Sequence, residues 1–195
     1  GETAEMPGFY SDDEYDLCGT VIGAVDGDNL LSDRVIQKGD VLIGLPSTGL
    51  HTNGYSLARK VLLDKFKVDE YVSEINSTIS ESLLSVHKSY LHILDKAIPK
   101  DWLLGLSHIT GGGLEGNTNR ILTGDLKLNV DWDVWEWPNI FKLIQNVGNV
   151  PTDDMKKSFN LGIGMVLIIK KDYISEAETY LKNINENYYI IGEIN

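Results

Sequence analysis

The chain has 195 residues, 42% of them apolar, and a formal net charge of -12. That is ample material for one large buried core, and the acidity excludes nucleic acid and anionic membrane surfaces as partners, since both are held by Lys/Arg clusters. One cysteine, Cys18, excludes an internal disulfide and points to a reducing, cytoplasmic setting, and no apolar run reaches the roughly 18 residues of a membrane span.

The opening "GETAEMPGFY" is a Gly/Pro-punctuated loop without an initiator Met, and it reads as the interior of a longer protein. "DLCGTVIGAVD" (16–26) is a continuous apolar run, which predicts a strand buried on both faces. A turn-rich connection leads to a strand at "VLIGL" (41–45), which Pro46 ends. After the loop "STGLHTNG" (47–54), apolar residues at Leu57, Ala58, Val61, Leu62 and Phe66 predict a helix over 55–66, capped by Asn53 or Ser56. The strongest periodicity runs through 80–98, where Leu83, Leu84, His87, Leu91, Leu94 and Ile98 share one stripe behind a Ser80 cap. Strands are predicted at 102–109, 126–132, 161–171 and 188–194, and helices at 138–148 and 173–184. Asp153 and Asp154 suit the first turn of one more helix. This mixture of strands and helices, a sheet with flanking helices, implies α/β or α+β layering.

Three stretches can carry chemistry. "SHITGGGLEGN" (107–117) joins a strand to a helix start through Gly111, Gly112 and Gly113, with the Thr110 hydroxyl beside them. Glycines let backbone amides approach an anion, and a helix N-terminus attracts it, so a phosphate cradle is one reading. A tight turn or bulge without a ligand is the other. "LPSTGLHTNGYSL" (45–57) gathers Ser47, Thr48, His51, Thr52 and Asn53 in one loop. His51 can serve as acid, base or anion contact near neutral pH, or the loop is an ordinary polar turn. Glu2 and Glu5 in the opening loop either meet Mg²⁺ and a polar ligand or stay solvated. Trp132, Trp135 and Trp137 read as core or interface anchors, and His87 and His92 as packing and surface residues.

In order along the chain, "GETAEMPGFY", "YDLCGTVIG", "GDVLIGLPSTGLHTNGYSLARK", "HITGGGL" and "FNLGIGMVLII" resemble the phosphoribosylformylglycinamidine cyclo-ligase family. The resemblance spans nearly the whole chain. It implies that residues 1–33 are a remnant of an N-terminal ATP-binding domain (loop, last strand and linker) and 34–195 the C-terminal α+β domain. The implied reaction closes the ring of formylglycinamidine ribonucleotide at the expense of ATP, giving aminoimidazole ribonucleotide for purine synthesis. ATP and Mg²⁺ are the implied cofactors, a small ribonucleotide the partner, and a homodimer the assembly of the full-length enzyme. On this resemblance Gly111, Gly112 and Gly113, with Thr110, hold a phosphate of substrate or ATP. Ser47 and Asn53 reach the substrate's polar groups, His51 moves the proton, and Glu2 faces ATP. The family's ATP-associated Asp-Gly-Val-Gly-Thr-Lys motif is absent from these residues, so the chain alone is expected not to turn over.

Two departures stand out. Where relatives read Thr-Pro-Thr-Arg-Ile-Tyr, this chain has "SVHKSY" (85–90), with Lys88 at the Arg position. After the glycines, relatives carry Glu-Asn-Ile-Pro-Arg, and this chain has "EGNTNR". The alternatives are another ATP-dependent enzyme of the superfamily, such as a selenophosphate synthetase, or a non-catalytic phosphate- or nucleotide-binding module.

Overall fold

In a computed structural model, residues 11, 13, 15, 17 and 19–195 are described. The chain divides into two units, Gly1–Leu30 and Leu31–Asn195. In the first, the described residues hold one short 3-10 turn, Gly27–Asn29. The strand expected at 16–26 is not formed by the described residues of that stretch, and Val21 and Ile22 are 95% and 93% exposed. A strand buried on both faces needs neighbours for its backbone and cover for its side chains. No described residue pairs with this one.

The second unit is built on five strands: β1 (Val41–Pro46), β4 (Leu103–His108), β5 (Leu128–Val130), β6 (Ile163–Ile169) and β7 (Tyr189–Ile194). Their order is β4-β6-β1-β7-β5, and every pairing is antiparallel. β6 is buried along its whole length because both faces of the sheet are covered. Alternate residues divide between them. Ile43, Leu45, Leu167 and Ile169 pack with residues of α3 (Leu91–Ala97) and α7 (Ile174–Asn183). Leu42, Val166 and Ile168 pack with Leu114 and Trp135 on the other side. The α+β class is what the structure shows.

A third cluster gathers the apolar faces of α1 (Tyr55–Leu63), α5 (Asn139–Gly148) and α6 (Thr152–Ser158) around Leu62, Phe141, Met155 and Phe159. A hairpin of β2 (Tyr71–Val72) and β3 (Ser77–Thr78), which the sequence pattern did not announce, leads into α2 (Ile79–Leu83). α1 is capped by Gly54, at φ 80°, and not by Asn53 or Ser56.

The long helix expected over 80–98 is two short ones, α2 and α3, separated by residues 84–90. Thr78, not Ser80, caps α2 through a reciprocal bond set with Glu81. The Ser85 hydroxyl turns back to the Glu81 carbonyl (3.1 Å), so a side chain competes for the helix's own acceptor. Tertiary contacts then hold 85–90 outside the helix: Thr48 Oγ1 donates to the Val86 carbonyl (2.6 Å), Lys88 pairs with Glu186 (2.5 Å), and Tyr90 Oη donates to the Pro46 carbonyl (2.9 Å). These contacts outweigh the helical period.

Candidate functional site

β1 and β4 both run antiparallel to β6, so they run the same way. Their following loops therefore leave the sheet at one end, where β6 begins. Residues 47–54 and 109–112 meet there, with 85–90 alongside.

Asn160, just before β6, ties the first loop down. Its Oδ1 accepts from Ser47 Oγ (2.9 Å) and from the Gly162 amide (2.8 Å), and its Nδ2 donates to the Gly49 carbonyl (2.8 Å). The Ser47 amide bonds the Gly162 carbonyl (2.8 Å). Ser47 is thus committed to the scaffold. His51 sits in the same loop at φ 57° and is 3% exposed. Its Nε2 accepts the Thr48 amide at 3.1 Å. Nε2 is then the unprotonated nitrogen, and the neutral ring carries its proton on Nδ1. That Nδ1 is buried and has no partner among the described residues, a deficit of about 1–3 kcal/mol.

The break between α2 and α3 brings His87 onto His51, stacked with centroids 3.8 Å apart and planes 17° from parallel. His108, exposed at the end of β4, lies 5.3 Å from His87, centroid to centroid. Burial, then His87, His108 and Lys88 in turn, push the His51 pKa down to about 4. Burial and then His87 lower that of His108. His51 is therefore neutral at pH 7, with its Nε2 lone pair on the Thr48 amide and its proton on Nδ1. In this arrangement its Nδ1–H is an unspent hydrogen-bond donor. Gly164 forms the floor, where a Cβ would come within 2.2 Å of Tyr90 Oη and 2.6 Å of His51 Cε1.

The glycine stretch beside it is closed by its own bonds. The Gly111 amide donates to Asn53 Oδ1 (3.0 Å). The Gly112 amide donates to the Lys157 carbonyl (3.0 Å) and the Gly113 amide to the Thr110 carbonyl (3.1 Å). Gly112 and Gly113 have φ of 101° and 69°, and a Cβ on Gly113 would lie 1.7 Å from the Lys156 carbonyl oxygen. The short helix α4 (Gly113–Thr118) thus starts pressed against the carbonyl end of α6, whose free acceptors take the amide a phosphate would need. Asn117 completes the lock. Its Nδ2 donates to the carbonyls of Thr110 (3.1 Å), Gly111 (3.3 Å) and Gly113 (2.7 Å), and its Oδ1 accepts from Thr110 Oγ1 (2.9 Å).

Ser47, His51, Asn53, Thr110 and the three glycines are thus all placed at this end of the sheet, most with their polar groups already engaged. Glu2 lies outside the described residues. Sequence reasoning missed His87, His108 and Asn117 as site residues. His108 stood in the quoted "HITGGGL" string, and the run "SVHKS" could have warned of a helix break. Asn117 closed the "SHITGGGLEGN" stretch, but nothing in the sequence marked its role. Among the described residues, the cluster of three potential metal-ligating side chains is His51, His87 and His108. Imidazoles do not suit Mg²⁺, which prefers oxygen donors. The described residues therefore provide no fitting Mg²⁺ set.

Fold and site together define an α+β domain that carries a histidine-lined polar site at one end of an antiparallel sheet. The model of the family described as AIR synthase related protein, C-terminal domain, matches residues 37–195, and the chain belongs to that family. A protein named phosphoribosylformylglycinamidine cyclo-ligase from Pseudothermotoga lettingae is 44% identical over 195 residues, all of this chain and 57% of its own length. One of the same name from Geotalea daltonii is 43% identical over 196 residues, covering 56% of that protein. The chain thus spans somewhat over half the length of these curated relatives. The crystal structure of tt0281 from Thermus thermophilus superposes with a TM-score of 0.50 at 12% identity, covering 83% of this chain and 48% of that one, a likeness of fold alone.

Proposed function

We propose that the chain contributes the C-terminal α+β part of an ATP-dependent cyclo-ligase that converts formylglycinamidine ribonucleotide to aminoimidazole ribonucleotide, ADP and phosphate. The supporting observation is that the loops of two resemblance motifs, at 47–54 and 108–113, meet the Asn160–Gly162 turn of a third at one end of the sheet. In the reaction the formyl oxygen takes the terminal phosphoryl group of ATP, the amidine nitrogen attacks that carbon, and the C–O bond breaks to release phosphate. His51 serves this chemistry as a buried hydrogen-bond donor, with the proton on Nδ1. Asn53 offers its Nδ2, which has no partner among the described residues, to the substrate. Residues 1–33 belong, in this reading, with an ATP-binding domain, and the working enzyme is a cytoplasmic homodimer.

The test is formation of aminoimidazole ribonucleotide, read by diazo coupling of its amine, alongside ADP release. The protein is supplied with the additional N-terminal length found in the relatives, with Mg-ATP and formylglycinamidine ribonucleotide. Product is expected there and not from these 195 residues alone. ATP turnover that needs selenide, or none with the ribonucleotide, would sink the reading.

A further inference from the structure

We infer that His51, His87 and His108 form a site for a divalent transition-metal ion of borderline softness, Zn²⁺ or Co²⁺ in class. Each ring offers one nitrogen, and the three lie within 4.8 Å of one another. Of the six nitrogens these rings carry, His51 Nε2 is the one with a hydrogen-bond partner among the described residues, the Thr48 amide. Imidazole pairs of this kind lack the carboxylates or carbonyls that usually hold structural histidines in place. Three imidazoles with one open side are the donor set such ions take, and the site would keep a further position for water or ligand.

The cluster must contract to bind. Metal–nitrogen bonds of about 2.0–2.1 Å put tetrahedral ligands about 3.4 Å apart. His87 is half-buried and His108 exposed, so both have room to turn, and His87 must leave its stack so that its in-plane lone pair faces the ion. His51 uses the Nε2 lone pair. The Thr48 amide at 3.1 Å is the bond displaced, while the Thr48 hydroxyl stays on the Val86 carbonyl and Nδ1 keeps its proton. No proton is gained or lost by a neutral ring in this exchange.

The experiment titrates the whole chain with Co²⁺ alone, reading the visible ligand-field bands of a low-coordinate nitrogen site, and then displaces it with Zn²⁺ against a chromophoric chelator. One ion per chain is expected. His87→Gln and His108→Gln should each weaken binding by at least the roughly 10- to 100-fold that outer-shell changes alone cost. His92→Gln, at a residue paired with Glu186 and outside the trio, should leave it unchanged. Both trio positions are solvent-accessible, so circular dichroism should show these variants folded. Absence of the Co²⁺ bands, or binding that survives both substitutions, overturns the site. Because no substrate is present, this result and the turnover assay can fail independently.

Discussion

The glycine loop and the histidine trio sit side by side, and they use their polar groups in opposite ways. At 110–113 every glycine amide has an acceptor, and Asn117 binds three carbonyls of the same stretch. At the trio, five of six ring nitrogens have no hydrogen-bond partner among the described residues. The loop looks like an anion cradle in sequence because glycines and threonine recur there. In three dimensions Gly112 and Gly113 are required by positive φ, and Gly113 also by the carbonyl end of α6. The trio has no spacing signature at all, since its members come from a loop, a helix break and a strand end. Conspicuous residues can mark a backbone constraint, whereas unspent donors and acceptors mark where a ligand can be held.

The strongest way to break this contrast is Gly113→Ala. If the loop's glycines are steric, the new Cβ, 1.7 Å from the Lys156 oxygen at φ 69°, must push α4 off α6. A loss of at least about 4 kcal/mol is expected, read by urea unfolding, because backbone cannot yield as a flexible side chain does. A near-neutral result would mean that the loop is mobile enough to open into the cradle form.

A smaller effect probes the other region. The His51 pKa is near 4 in the fold and near 6.5 in the unfolded chain. Below pH 6.5 the unfolded chain takes up a proton that the folded ring refuses, so stability is complete above that pH and declines as pH falls toward 4. The loss should reach about 2 kcal/mol after allowance for solvent on the trio's open side. Unfolding free energies at about pH 7 and about pH 4.5 should differ less in His51→Gln than in the parent. An equal pH slope in both would mean that His51 is not held neutral.

Much of the fold was legible because its signals are local. β1, β6 and β7 are short apolar runs rich in branched residues, and α1, α5 and α7 keep one apolar stripe each. The larger failures were tertiary. The stripe through 80–98 continues across 85–90, and the pull of Pro46, Thr48 and Glu186 on that segment, beside the Ser85 hydroxyl's local bond, breaks it. The run at 16–26 carries strand residues, but pairing partners are not a property of the run itself. At the site, the loops could be read from their donors, while the commitment of those donors could not. Ser47 is spent on Asn160, 113 positions away, and Asn53 on Gly111, 58 away. His87 became a site residue only because the helix breaks.

The smallest expected effect separates the glycines from one another. Gly111 is not in the left-handed region, and a Cβ there would meet Asn53 Oδ1 at 3.8 Å, an ordinary contact. Gly111→Ala should therefore change stability by no more than about 0.5 kcal/mol, with a slight gain from the stiffer unfolded chain as easily as a loss. Titration with inorganic phosphate makes the same variant informative about function. A methyl group leaves the amide in place but crowds the surface an anion would approach, so a phosphate resting on Gly111 would lose affinity. Unchanged phosphate binding together with unchanged stability would leave Gly112 and Gly113 as the glycines the fold requires and Gly111 as a spectator. Weakened binding at unchanged stability would restore an anion to the loop, displacing Asn53 from the amide it now holds.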